Sequence, residues 1–236
     1  MIKIIRIMAM AVLLLGQTAM AGVMVESSRV VFSAADPERS LIISNTNDYP
    51  VIVQAWIDHG APEGTPEKAT DSPVMPLPGI FRLEPGEKKS LRLLATQLKQ
   101  PTDRESLYWL NLYEIPPKDA HLPPGMSAVK VAVRLQLKMF YRPENLKPSP
   151  DDVASKQTFS VDARAVKVNN PTPYYATFSA AEVSDGTHSY PLPIGMLAPF
   201  SSKTLVLNTP GMSQPKSLHY ILINDDGNGV EKRKAL

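Results

Sequence analysis

The sequence predicts an all-β protein made of two sandwich domains. Proline is frequent and spread along the chain, 23 in 236 residues with none in the first 21. Short apolar or alternating runs recur between turn signals, and a proline-bearing polar stretch, "ENLKPSPDD" at 144–152, divides these runs into two sets. Proline discourages long helices. Alternation with a period of two belongs to half-buried strands, whose successive side chains point to opposite faces.

The first 21 residues stand apart from the fold. Lys3 and Arg6 precede the apolar "MAMAVLLLG", and Ala19-Met20-Ala21 forms a small-x-small cleavage site, so 1–21 reads as a signal peptide. The apolar run is too short to span a bilayer. A mature chain is expected to begin near Gly22 and to work outside the cytoplasm. Removing Lys3 and Arg6 leaves 25 − 2 = 23 basic against 23 acidic side chains. That neutrality argues against nucleic-acid or anionic-membrane binding, which needs a basic excess. The absence of cysteine excludes thiol catalysis and cysteine metal sites, and leaves the cores to hold the domains without disulfides. Together with the leader it points to a bacterial periplasm.

In the first set the runs are "VMVESSRVVF", "SLIISN", "VIVQAWI", "GIFRL", "KKSLRLLA", "SLYWLNLYEI" and "VKVAVRLQLKMFYRP". Seven strands in about 120 residues is the count of an immunoglobulin-type sandwich, assigned to 22–145. The second set, "QTFSVDARAVKVNN", "YYATFSAAEV", "SYPLPI", "KTLVLN", "LHYILIN" and the charged tail "VEKRKAL", is more weakly patterned. It reads as a second immunoglobulin-like domain, 146–236.

Catalytic constellations are scarce. His59, His121, His188 and His219 lie in separate segments, none with a second histidine at ligand spacing. "NDDGNG" at 224–229 begins like a calcium loop, but Ala235 stands where the closing acid belongs, and a hairpin turn explains it better. Ser127 and Lys130 have serine–lysine spacing, yet at a strand start residues three apart face opposite ways. No enzyme activity and no small-molecule substrate are expected.

The seventh run is unusual. Val129, Val131, Val133, Leu135 and Leu137 share one face, while Lys130, Ala132, Arg134, Gln136 and Lys138 share the other. Residues 129–138 would extend about 33 Å, longer than a typical strand. An edge strand that outruns its sheet exposes main-chain groups beside apolar side chains, a feature soluble proteins usually blunt. Strand addition to another chain is the use that fits it.

"PTDRESLYWLNLYEIPP" with "LKMFYRP" closely resembles the PapD-like chaperones of the chaperone–usher pilus pathway; "SRVVF", "QAWI", "FRLEPGEKKSLRLL", "NPTPYY" and "INDDG" resemble further family blocks in the same order. The resemblance implies two immunoglobulin-like domains at an angle, with a cleft between them. It implies that pilin subunits, each missing one strand, accept the seventh strand by donor-strand complementation. They are then kept from aggregating and delivered to an outer-membrane usher for fimbrial assembly. ATP, metals and other cofactors are not implied. Carried over by motif, Arg29 and Lys138 anchor the client's terminal carboxylate, and Val129, Val131, Val133 and Leu135 fill its groove. Glu105, Arg142 and Asp225 link the domains. Lys138 has the opposite parity to Val133, so a twist or bulge is expected to bring both toward one client. A self-assembling immunoglobulin-like surface subunit is the alternative.

Overall fold

The structure is a computed structural model that describes residues 22–68, 71–117, 131–162, 165–207 and 214–236. The segment read as a leader (1–21) and the stretch carrying His121, Ser127, Val129 and Lys130 lie outside the described residues.

Before the polar stretch the strands are β1 (Val23–Val25), β2 (Arg29–Ser33), β3 (Glu38–Asn45), β4 (Val51–Asp58), β5 (Val74–Leu77), β6 (Ile80–Leu83), β7 (Lys88–Ala95), β8 (Ser106–Ile115) and β9 (Val133–Arg142). They form two sheets, ordered β1-β3-β7-β5 and β2-β9-β8-β4-β6. Inward residues such as Phe32, Ile43, Leu91, Leu110 and Met139 make one buried core. After it come a single helical turn, α1 (Val153–Lys156), and the strands β10 (Thr158–Val161), β11 (Ala165–Asn170), β12 (Ala176–Ser184), β13 (Ser189–Pro191), β14 (Met196–Leu197), β15 (Ser201–Val206), β16 (Ser217–Ile223) and β17 (Gly229–Ala235). Sheets β10-β11-β15 and β13-β12-β16-β17 enclose a second core around Val168, Tyr220 and Leu218, with β14 paired to β12. The molecule is thus two β-sandwich domains.

Three sequence runs and one unassigned stretch resolve in more detail than their reading. "VMVESSRVVF" is two strands in different sheets, because Ser27 Oγ donates to the Arg29 carbonyl (2.6 Å) where the chain crosses over. Residues 74–77, assigned to no run, form β5. Its Pro76 sits on a sheet edge, where the missing N–H removes no interior ladder bond. "QTFSVDARAVKVNN" folds into the β10–β11 hairpin, with Asp162 Oδ1 accepting from the Ala165 N–H (2.8 Å) at its turn. The charged tail is β17, paired with β16 along its whole length; its lysines and arginine suit an outer strand.

The seventh run is shifted too. Strand pairing covers Val133–Arg142, four residues beyond the assigned end at Lys138. Alternation fails there because both faces of β9 become buried. Met139 enters the first core, while the Phe140 ring lies 5.7 Å from Tyr175 of the second domain.

Candidate functional site

The site is built on β9. On one side β8 pairs with it from Ser106↔Tyr141 to Glu114↔Val133 without a register shift. On the other, β2 runs parallel to it only from Arg29↔Lys138 to Ser33↔Arg142. Among the described residues, 133–137 therefore have no strand on the β2 side. β9 is not an edge strand throughout, as the sequence suggested; it is an edge for its first half. The apolar face emerges gradually from the core. Leu137 is 3% exposed, Leu135 is half-buried against the domain's own core, Val133 is 53% exposed and Val131 is 70% exposed. Val129 lies outside the described residues. The ladder carries no bulge, so Lys138 stays on the opposite sheet face from Val133.

Where the free edge ends, two cations meet. Arg29 and Lys138 are register partners in the parallel β2–β9 pair, which places their side chains beside each other. Arg29 is 8% exposed; its Nη1 donates to the Ile223 carbonyl (3.1 Å), and its buried Nε has no hydrogen-bond partner among the described residues. Burial pulls the Arg29 pKa below its ordinary value, although Asp225 and Glu105 favour its charge. Lys138 Nζ sits 5.9 Å from the Trp109 ring centroid, and no carboxylate pairs with it among the described residues. Its pKa is lowered first by burial and then by the adjacent Arg29. Two desolvated like charges repel, and an anion placed between them relieves both costs.

The third feature joins the domains. Arg142, at the far end of β9, donates through Nε to Glu105 Oε1 (2.7 Å) and through Nη1 and Nη2 to Asp225 Oδ2 (2.6 Å) and Oδ1 (2.8 Å). Glu105 also accepts from the Tyr175 N–H through Oε2 (2.8 Å), and its own N–H donates to the Pro173 carbonyl (2.9 Å). Burial pushes the Glu105 carboxyl above its ordinary value against the pull of Arg142. Burial also opposes the Arg142 charge, but the hydrogen bonds and charges of Asp225 and Glu105 outweigh it and raise that pKa. Arg29, Glu105, Phe140, Arg142, Tyr175 and Asp225 are among the residues lining a cavity of about 260 Å³ between the domains.

Comparison with known proteins follows the same two-part division. Residues 22–147 match the family described as "Pili and flagellar-assembly chaperone, PapD N-terminal domain", and residues 152–234 match "Pili assembly chaperone PapD, C-terminal domain". This chain belongs to the PapD family of pilus-assembly chaperones. The chaperone is 37% identical over 227 residues to Chaperone protein FimB/FhaD of Bordetella pertussis, covering 94% of this chain and 90% of that one. The CupB2 chaperone of Pseudomonas aeruginosa superposes with a TM-score of 0.73 at 36% identity, over 90% of this chain and 100% of that one. A chain from the structure of Salmonella enterica SafA pilin in complex with the SafB chaperone superposes with a TM-score of 0.75 at 27% identity, over 93% and 98%.

Reading from sequence missed what lies on the other face of this chaperone's strand. Arg134 is not simply solvated. Its Nη1 donates to the Gly64 carbonyl (2.9 Å) and its Nη2 to those of Pro62 (2.5 Å) and Ala61 (3.4 Å), tying the loop after β4 to the free half of β9. That loop turns at Gly60, whose φ of +85° and closeness to Trp109 (2.3 Å from an added Cβ) exclude a side chain. Trp109, Phe140 and Tyr175 wall the cations, and only the failed alternation after Lys138 signalled such burial. Of the described histidines, His59 lies against Tyr108, His188 is near Asp185, and His219 lies between Glu182 and Glu231. Among the described residues no three metal-ligating side chains converge.

Proposed function

We propose that this chaperone binds pilin subunits in the periplasm by adding the free half of β9 to their incomplete sandwich, and then passes them to an outer-membrane usher. The observation that carries the reading is the half-covered strand. Its open edge over 133–137 bears exposed Val133, follows exposed Val131, and stops at the Arg29–Lys138 pair. An added strand would lie in the plane of the sheet, within reach of both faces. Val131, Val133 and Leu135 can then enter its groove from one face while Lys138 meets its terminal carboxylate from the other. A one-residue slip flips every side chain, so a fixed carboxylate sets the register. The donor set extends to Val129 by its parity.

Glu105, Arg142 and Asp225 hold the domains so that the cations face a common space, acting by positioning rather than by contact with the client. The protein works by binding and not by catalysis. Co-expression with the pilins encoded beside this gene tests the proposal. Wild type is expected to recover a soluble one-to-one complex that Lys138→Ala fails to retain. Polymers of the purified chaperone without any pilin would instead support a self-assembling surface subunit.

A further inference from the structure

A second buried ionisable group in the first domain has no counterion among the described residues. Glu114, on β8, is 7% exposed and has no ion pair among the described residues. Its Oε1 accepts from Asn47 Nδ2 (2.8 Å) and its Oε2 from the Val23 N–H (2.8 Å). Asn47 is in turn held by Asn45, since both its N–H (3.0 Å) and its Nδ2 (2.8 Å) donate to Asn45 Oδ1. These partners are neutral, and a buried carboxylate satisfied only by neutral groups carries a desolvation cost that a cation would offset.

The main chain at Gly22 lies against this carboxylate. A Cβ built on Gly22 would sit 3.8 Å from Glu114 Oε2. The Gly22 carbonyl accepts from the Thr46 N–H (2.9 Å) and Oγ1 (2.8 Å), so the peptide is pinned beside Glu114. The Gly22 nitrogen is one bond, ~1.46 Å, from that Cα. The small-x-small motif Ala19-Met20-Ala21 directs cleavage of the leader to the preceding bond.

We propose that the α-ammonium released at Gly22 when the leader is removed is the counterion of Glu114, so that processing completes the amino-terminal end of the sandwich. Before cleavage that nitrogen is a neutral amide and Glu114 lacks its cation. After cleavage one carboxylate binds both the ammonium and the Val23 N–H and locks β1 against β8. Glu114 stands opposite Val133 in the β8–β9 ladder, so the completed end is the one from which the free edge departs. The proposal rests on the leader reading and not on client binding, and it is tested without a client.

The test uses the full mature protein secreted to the periplasm. Intact mass is expected to show a chain starting at Gly22. The pH dependence of labelling should place its amine at least about one unit above the ordinary α-amine range of ~7.7–8.0. Because this pKa is raised in the folded state, the added stability is complete below about pH 7.7 and disappears as pH climbs through the raised value. A chain that retains Ala21, or one acetylated at Gly22, is expected to lose about tenfold in its folding equilibrium at pH 7, one pKa unit being one factor of ten. In Glu114→Gln the amine should return to the ordinary range, and retaining Ala21 should cost nothing further. An ordinary amine pKa in the wild type, equal stability with and without Ala21, or a mature start elsewhere overturns the proposal. Should Glu114→Gln fail to fold, the wild-type titration and the chain retaining Ala21 still decide.

Discussion

Replacing Lys138 with methionine separates binding from folding. The substitution keeps an unbranched stem beside Trp109 and removes only the ammonium. In the free chaperone that ammonium has no carboxylate partner among the described residues, lies beside Arg29, and is disfavoured by burial. Its loss should therefore leave the stability of the first domain unchanged or slightly raised. The sign with pH is definite. Lys138 has a folded-state pKa below its ordinary 10.5, so the wild type gains stability as pH rises through the depressed value toward 10.5, and Lys138→Met lacks that gain. With client bound, Lys138 would donate a charge-assisted hydrogen bond to a carboxylate, worth about 1.5–3 kcal/mol. Removing it should weaken the complex by about 10- to 150-fold. Denaturant titration of the free protein and a pilin-exchange assay with a labelled competitor strand measure the two quantities. An unchanged pilin affinity would refute the carboxylate anchor. A fall in affinity matched by an equal fall in stability would refute the separation of roles.

Other substitutions test the remaining parts. Val133→Asn should change fold stability by no more than ~0.5 kcal/mol because the site is exposed and the amide adds no charge opposite Glu114, yet reduce pilin binding at least tenfold by removing about 1.5–3 kcal/mol of apolar burial; Leu137→Asp, inside the core, should unfold the domain instead. Arg134→Ala should leave the transition midpoint nearly unchanged but speed amide hydrogen exchange in both 61–64 and 133–137, since one side chain ties these segments together; exchange confined to one segment would deny the tie. Glu105 is held above its ordinary 4.5 by burial, so the folded protein binds the extra proton and the wild type should lose stability as pH rises from 4.5 through the raised value. In Glu105→Gln that component of the slope should vanish, as the difference between the two pH–stability curves will show.

The sequence alone determined the all-β class and the two-domain division, and singled out the strand proposed to serve another chain. Each depends on a local, short-period signal: proline spacing, alternation, and an alternating run longer than a typical strand. Motif resemblance located Arg29, Lys138, Glu105, Arg142 and Asp225, and the structure brings the first two together as register partners and ties the last three through Arg142. Tertiary structure alone decided how much of β9 is free. That limit is set where β2 stops, and β2 lies more than a hundred residues away in sequence. It also decided that Leu135 is partly retained by its own core, that Phe140 faces the second domain, and that Arg134 grips a distant loop. Val74–Leu77 went unread because Pro76 suppresses a strand signal whose edge position no local window reveals. Alternation states which side chains share a face; what meets that face depends on strand order, and strand order is a property of the folded chain.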